Sequence, residues 1–333
     1  MMKGIKKVVA LIGIVGMLAT TVTGCATTDG ADASSASSTE TKGVIGFINH
    51  DLNDPFQQYM LLGGQETAAK LGYDFVSGSA ENDPLQEQEL IKNFASQGVT
   101  LLVLGSTTKE SGEAAIELAH EYGMKVVTMD SIQDDSEADC QVGGDDFAAG
   151  YIAGVELAEA IGGEGEVAIC KYPSEIPPSE DRVEGFYAAF EEYPGITVIA
   201  EDGPDADQIA AQTWATDIMQ AHPDVVGFIS IMDAHGIGIV RAVENAGAED
   251  TIAVVTVCES QDSYTELAIE TSPLKSVVAM NPYNYGSISV FMLDEMNNDR
   301  PVPSIVKTTG SAVTIDNVES FMDLIIAQTE ATE

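Results

Sequence analysis

Polar and aromatic side chains directly follow the first apolar segment of the chain. Val44–Ile48 is typical of a short buried strand, and Pro55 is typical of a helix's first turn, where a missing backbone N–H costs little. The residues between them would lie at the carboxyl end of a parallel strand, where open α/β sheets bind ligands. The alternative is an ordinary strand-to-helix turn. The side chains of this turn that we predict to contact a small molecule are His50, Asp54 and Phe56.

Motifs for catalysis are missing from the sequence. No segment has the form Gly-x-Ser-x-Gly, and no two histidines have the spacing of metal ligands. The glycine-rich segment Gly162–Gly165 lies between a helical pattern and a strand, which is the wrong context for a phosphate-binding loop. Asp202, Asp205 and Asp207 lack the full pattern of a calcium loop. We therefore predict that the protein is not an enzyme and that it has neither a metal site nor a cofactor.

Apolar strand-like segments alternate with amphipathic helical patterns from Lys42 onward. This alternation is typical of parallel sheets covered by helices on both faces. The predicted strands are Val44–Ile48, Tyr73–Val76, Val99–Leu104, Lys125–Met129, Glu166–Cys170, Thr197–Ala200, Val225–Ser230, Ile252–Val257 and Ser276–Met280. The predicted helices are Pro55–Leu71, Pro84–Gln97, Ser111–Tyr122, Asp146–Ile161, Ser179–Tyr193, Ala206–Ala221, His235–Ala246 and Asp262–Glu270.

The number of predicted parallel strands is large for one sheet of a domain of ordinary size. The polar stretch Ser131–Asp146 indicates a break between two α/β units, because the strand-helix rhythm restarts only at Glu166. We therefore predict two three-layer α/β/α lobes. If the lobes face each other, the carboxyl-end turns of both sheets surround one cleft.

The first 24 residues have the pattern of an export signal. Lysines in Lys3–Lys7 precede the apolar run Val8–Val22, and small residues then lead to Cys25. This order resembles a bacterial lipoprotein signal, in which the cysteine is lipidated and becomes the new N-terminus. A plain secretory signal and a membrane-spanning anchor are the alternatives, although the apolar run is short for an anchor. Residues 25–42 then form a predicted flexible tether that holds the protein outside the cytoplasm at the cell membrane.

The rest of the chain is strongly acidic. The sequence has 14 basic and 54 acidic residues, and the signal segment contains three of the basic ones. This charge argues against nucleic acid or an anionic membrane surface as a partner. Cys140, Cys170 and Cys258 show no CxxC spacing, so a metal or thioredoxin-like site is not expected. A Cys140–Cys170 disulfide and buried free thiols are both compatible with the sequence.

Six short motifs occur in an order that resembles the type I periplasmic sugar-binding proteins, in particular the ribose-binding branch. Each motif is weak alone, but together they extend over nearly all of the chain after the signal. The motifs are Leu52–Phe56, Val127–Asp130, Asp145–Gly154, Arg182–Phe186, Ala221–Asp224 and Thr314–Val318.

This resemblance implies two lobes joined by a three-segment hinge, with crossings near Gly143, Asn281 and Thr309. The implied N-terminal lobe comprises residues 43–143 and 282–308, and the C-terminal lobe comprises 144–281 and 309–333. The resemblance further implies a monomer that captures a sugar or sugar-like solute in the interlobe cleft and delivers it to an ABC permease. The alternative output is a signal to a membrane sensor kinase or chemoreceptor.

The family's ligand positions fall on several residues of this chain. Asp54 and Phe56 match a polar contact and a stacking aromatic, whereas Gln57 stands where the family often has a second aromatic. Asp130 matches a carboxylate that accepts hydrogen bonds from sugar hydroxyls. In this chain Asp233, Glu259 and Asn281 stand at or beside three further ligand positions.

Two arginine positions of the family carry other residues here. Ser131 and Glu180 occupy them, while Arg182 belongs to a motif that implies a structural role. A shifted register in Tyr172–Glu180 would nevertheless bring Arg182 into the cleft. We therefore expect a cleft that keeps carboxylates and loses guanidinium groups. Such a cleft suits a neutral sugar or polyol, or a solute with a cationic amine, better than a sugar phosphate.

Overall fold

Two six-stranded sheets organise the part of the chain that the computed structural model describes, which is residues 41–106, 108–133, 135–174 and 177–322. The predicted signal, the lipidation residue Cys25 and most of the tether lie outside these residues. The strands are β1 (Val44–Asn49), β2 (Asp74–Ser79), β3 (Leu101–Leu104), β4 (Lys125–Asp130), β5 (Cys140–Gly144), β6 (Glu164–Cys170), β7 (Gly195–Asp202), β8 (Val225–Ser230), β9 (Ala253–Val257), β10 (Leu274–Ala279), β11 (Ile305–Thr308) and β12 (Ser311–Val313).

Helices cover both sheets. They are α1 (Pro55–Leu71), α2 (Pro84–Ser96), α3 (Lys109–Glu121), α4 (Asp146–Ala160), α5 (Pro177–Phe190), α6 (Gln208–Ala221), α7 (Asp233–Ala246), α8 (Gln261–Leu267) and α9 (Pro282–Asn297). None of the helices in the described ranges is both long and apolar enough to cross a bilayer.

Each sheet belongs to one lobe. The first lobe has the strand order β11-β5-β4-β3-β1-β2, and all of its pairs are parallel. The second lobe has the order β12-β10-β9-β8-β6-β7, and only β12 runs antiparallel to its neighbour. The first lobe also includes α1, α2, α3 and α9, and the second includes α4 to α8.

The chain passes between the lobes three times. The crossings lie between β5 and α4, between β10 and α9, and between β11 and β12. The predicted fold class, two parallel α/β lobes on a three-segment hinge, is therefore confirmed. The predicted residue boundaries of the lobes remain a proposal.

Local chemistry explains where α1 begins and ends. Asp54 lies at the N-cap, and its Oδ1 accepts a hydrogen bond from the Phe56 backbone N–H at 2.9 Å. Pro55 follows in the first turn, and Gly72 ends the helix in the left-handed conformation with φ of 86°. This start places Asp54 and the following turn of α1 at the carboxyl end of β1, as the sequence predicts.

The stretch Ser131–Asp146 contains a strand that the sequence analysis missed. β5 lies between β4 and β11, and Cys140 to Gly143 are buried there. The segment contains two glycines and a glutamine and so lacks an apolar strand pattern in the sequence. It is recognised as a strand only from its pairing with β4 and β11. The elements α9, β11 and β12 were also not predicted. Cys140 and Cys170 are buried free thiols in different sheets, which excludes a disulfide between them in this structure.

Candidate ligand-binding cavity

A cavity of about 610 Å³ has one wall from each lobe. Its lining follows the carboxyl ends of β1, β6, β8, β9 and β10, which is where ligands bind in parallel α/β sheets. The first lobe and the start of α9 contribute Asp54, Phe56, Gln58, Tyr59, Leu62 and Pro282. The second lobe contributes Tyr172, Arg182, Met232, Asp233, Cys258, Glu259, Ser260, Gln261 and Asp262.

Phe56 is held in place on the first-lobe wall. Its ring packs edge-to-face against Tyr285, with ring centroids 5.8 Å apart and planes at 78°. Tyr285 is 1% exposed, so it gives the Phe56 ring a fixed support. Two of the predicted ligand residues, Asp54 and Phe56, therefore lie in the cavity wall.

Gln57 turns away from the cavity although it follows Phe56. It is buried, and its Oε1 accepts a hydrogen bond from Asn49 at 3.1 Å. Its Nε2 donates to Asp130 Oδ2 at 3.2 Å. Gln57 thus positions the Asp130 carboxylate, and a direct contact of Gln57 with ligand remains a prediction.

Asp130 ends β4 in an unusual backbone conformation, with φ of 81°. Burial raises the pKa of its carboxyl to about 6, and the nearby His50 partly offsets this effect. The half-buried Asp130 and His50 do not belong to the cavity lining. Their roles in ligand binding therefore remain predictions.

We expect Asp130 to make stability depend on pH. Because its pKa of about 6 in the folded protein exceeds the ordinary value of 3.8, the folded state binds the proton more tightly. The stability contribution is therefore largest below pH 3.8 and is lost as the pH rises to about 6. Urea unfolding should show the wild type losing about 2 kcal/mol relative to Asp130→Asn between pH 4 and pH 7. An equal difference at both pH values would contradict this assignment.

Arg182 reaches the second-lobe wall. Its Nε and Nη2 donate to Asp146 Oδ1 at 2.9 and 2.8 Å, and its Nη1 donates to the Ile231 carbonyl at 2.7 Å. The expectation of a cleft without guanidinium groups is therefore wrong. The position of Arg182 is fixed by α4 and the end of β8, which are distant in sequence.

The side chains of Glu180 and Ser131, at the two positions where the resemblance implies arginine, do not line the cavity. Glu180 pairs with Lys171 at 3.0 Å and is not part of the cavity lining. Ser131 is exposed and lies beside a separate small cavity near the start of α3. Ligand contacts by Glu180 and Ser131 thus remain predictions without support from this cavity.

Glu259 lines the cavity and also fixes the crossing between β10 and α9. Its two carboxylate oxygens accept hydrogen bonds from the backbone N–H groups of Met280, at 2.7 Å, and Asn281, at 2.9 Å. Asn281 has a left-handed conformation with φ of 58°, and its side chain is not in the lining. Burial raises the pKa of Glu259, while these backbone hydrogen bonds lower it. The cavity and the hinge therefore share one side chain.

We predict that Glu259→Gln destabilises the protein by about 1 to 2 kcal/mol, because an amide leaves one of the two N–H groups without an acceptor. Urea unfolding at pH 7 measures the change. The same substitution at the exposed Glu270 should leave the midpoint unchanged. Equal midpoints for the two variants would show that the crossing does not depend on this carboxylate.

Tyrosines on both walls escaped the sequence analysis. Tyr172 donates its hydroxyl to Met232 Sδ at 2.9 Å and packs edge-to-face on His235, while Tyr59 lies on α1. The position of Tyr172 just after β6 is the sequence signal that would have identified it.

Asp233, which was predicted as a ligand residue, is the first residue of α7, and burial raises the pKa of its carboxyl. The described residues contain no group of three or more acidic, histidine or cysteine side chains arranged to hold a metal ion.

The sequence profile of the periplasmic binding protein domain matches residues 45–300. The ribose import binding protein RbsB of Escherichia coli K12 is 26% identical over 255 residues, covering 77% of this chain and 85% of the relative. RbsB of Bacillus subtilis is 23% identical over 262 residues, covering 79% and 84%. These relatives are transport binding proteins, which confirms the prediction that the chain is not an enzyme.

Solved structures show the same fold. A periplasmic solute-binding protein of an ABC transporter from Actinobacillus succinogenes, with bound D-allose, has a TM-score of 0.74 and 24% identity, covering 84% of this chain and 99% of that one. A solute-binding protein from Bacillus halodurans, with bound myo-inositol, has a TM-score of 0.71 and 21% identity, covering 85% and 98%.

Proposed function

Since this chain belongs to the periplasmic binding protein domain family, we propose that it captures a sugar or sugar-like solute between its lobes and delivers it to an ABC importer. The observation that carries the proposal is the cavity with one wall from each lobe. A solute that contacts both walls stabilises the closed arrangement of the lobes, which a permease can recognise. The relatives' names describe import, so they give no support to the alternative of signalling.

The side chains of the cavity suit such a solute. Phe56, Tyr59 and Tyr172 offer aromatic faces to the C–H side of a ring, and carboxylates accept hydrogen bonds from hydroxyls. The RbsB relatives are named for ribose, and the two solved structures contain D-allose and myo-inositol. These names support a polyhydroxylated solute without specifying which one.

The proposal includes an extracytoplasmic location and a lipid anchor on Cys25. The family is periplasmic by its description, and the N-terminal sequence has the order of a lipoprotein signal. Lys42, the last residue of the proposed tether, forms a salt bridge with Asp294 of α9, with 3.0 Å between Nζ and Oδ1. We also propose that the protein acts as a monomer.

A thermal-shift screen of the full chain in detergent tests the proposed function. The panel contains neutral sugars, polyols, amino sugars, sugar phosphates and nucleosides. A solute at about 100 times its Kd stabilises the folded state by about 2.7 kcal/mol, which corresponds to a Tm increase of about 5 °C. We expect this increase from one class of sugar-like solute. No increase with any member of the panel would contradict carbohydrate binding.

A further inference from the structure

We propose that the solute carries a protonated amine. This inference rests on the proposed function, because it names the chemical class of solute for the same cavity. The carboxylates of the lining outnumber its cationic groups. Asp54, Asp233, Glu259 and Asp262 line the cavity, and Arg182 is the one lysine or arginine among the described lining residues.

Arg182 does not neutralise these four carboxylates. Asp146, which is not part of the lining, takes the Nε and Nη2 donors of Arg182, and the Ile231 carbonyl takes Nη1. The Arg182 side chain is 15% exposed and that of Asp146 is 17% exposed, so the two form a largely shielded pair. The positive charge in the wall is therefore already paired.

Three of the four carboxylates accept hydrogen bonds, and none of the four is paired with a lysine or arginine of the described residues. Asp54 caps α1, and Glu259 accepts two backbone N–H groups. Asp233 accepts hydrogen bonds from the Ser260 side chain and from the backbone N–H groups of Ala234 and of Asp233 itself. Within the described ranges, no lysine or arginine forms a salt bridge with any of the four.

Closure of the lobes makes this imbalance costly. Water leaves the cavity when a solute is enclosed, and a carboxylate without water or a cation loses its solvation. Burial already raises the pKa of Asp233 and Glu259 in this structure. A neutral sugar supplies hydroxyl donors only, and a sugar phosphate adds repulsion. A solute with an ammonium group supplies the missing positive charge.

The aromatic residues fit the same class of solute. Phe56, Tyr59 and Tyr172 lie in the wall beside the carboxylates, and a cation gains further stabilisation over an aromatic face. The apolar face of a sugar or polyol packs on the same rings. An amino sugar or amino polyol therefore matches both kinds of side chain in the cavity.

Calorimetric titration of the full chain in detergent with matched pairs tests this inference. The pairs are D-glucosamine with D-glucose, D-galactosamine with D-galactose, and glucamine with sorbitol; N-acetyl-D-glucosamine is the uncharged control. For at least one pair we expect the amine to bind ten or more times more tightly than its neutral partner. N-acetylation should remove that preference.

Two variants test whether the preference for the amine depends on carboxylates of the cavity. Asp233→Asn and Asp54→Asn remove one negative charge from opposite walls, and asparagine at position 54 can still cap α1. Each should reduce the amine preference about tenfold. Asp224→Asn is the control, since Asp224 is exposed before β8 at the other end of the strand.

The outcomes separate the two proposals. Neutral members that bind as tightly as their amines would leave sugar binding standing and overturn the amine inference. An amine preference that persists in both cavity variants would also overturn it. If no member of the thermal-shift panel and none of these matched pairs bound, the proposed function would fail and the inference with it.

Discussion

Arg182→Ala is expected to destabilise the protein by about 3 kcal/mol and to abolish solute binding. Arg182 joins α5 to α4 through Asp146 and to the end of β8 through the Ile231 carbonyl. Its removal leaves the Asp146 carboxylate in a largely shielded position without a counter-charge, and broken buried pairs cost about 3 to 5 kcal/mol. The wall that Arg182 shares with Asp233 should then lose its shape. Urea unfolding and solute titration measure the two effects.

A double-mutant cycle separates the ion pair from general packing. Arg182→Ala with Asp146→Ala should cost less than the sum of the single changes, because the uncompensated carboxylate is gone. Lys70→Ala removes an exposed pair with Glu66 on α1 and should leave the midpoint unchanged. Additive costs for Arg182 and Asp146 would show that the pair does not hold this wall.

Gly286→Ala is expected to destabilise the protein by about 2 to 3 kcal/mol. A Cβ at Gly286 would meet the Met60 carbonyl oxygen of α1, so the two helices would have to separate. Alanine has a higher helix propensity than glycine by about 1 kcal/mol. A loss of stability would therefore result from the close contact between α1 and α9 and not from helix propensity. α1 carries the cavity residues Phe56 and Tyr59. Moving α1 away from α9 should therefore also weaken solute binding.

Asn284→Ala is the matched control for this change, because Asn284 is exposed on the first turn of α9. The variant should unfold at the wild-type urea concentration and bind solute normally. If Gly286→Ala were as stable as Asn284→Ala, the close approach of α1 and α9 would not be a constraint on the fold.

Local sequence was enough to predict one wall of the cavity. Asp54 and Phe56 lie where a buried strand is followed by a helix that begins with proline. Their position at the end of the strand therefore depends only on residues nearby in the sequence. Gln57 shows the limit of this reasoning. One residue advances a helix by about 100°, and this rotation turns Gln57 inward to Asn49 and Asp130.

The second wall depends on contacts that the sequence does not reveal. Arg182 lies in the cavity because Asp146, on another helix, holds its guanidinium. Glu180 turns instead to Lys171, at the end of β6. β5 was not predicted for a related reason. Its glycine-containing sequence has no strand pattern of its own, and it forms a strand by pairing with β4 and β11. Tertiary partners rather than local patterns decide these positions.

The central claim is that one solute contacts both lobes, and calorimetric titration of variants from each wall tests it most directly. For the solute that the thermal screen identifies, the wild type should bind one molecule per chain. Phe56→Ala on the first wall and Tyr172→Ala on the second should each weaken binding tenfold or more, as expected for buried aromatic anchors. Phe291→Ala, on an exposed face of α9, should bind like the wild type. Full affinity in either wall variant would contradict a site shared by the two lobes.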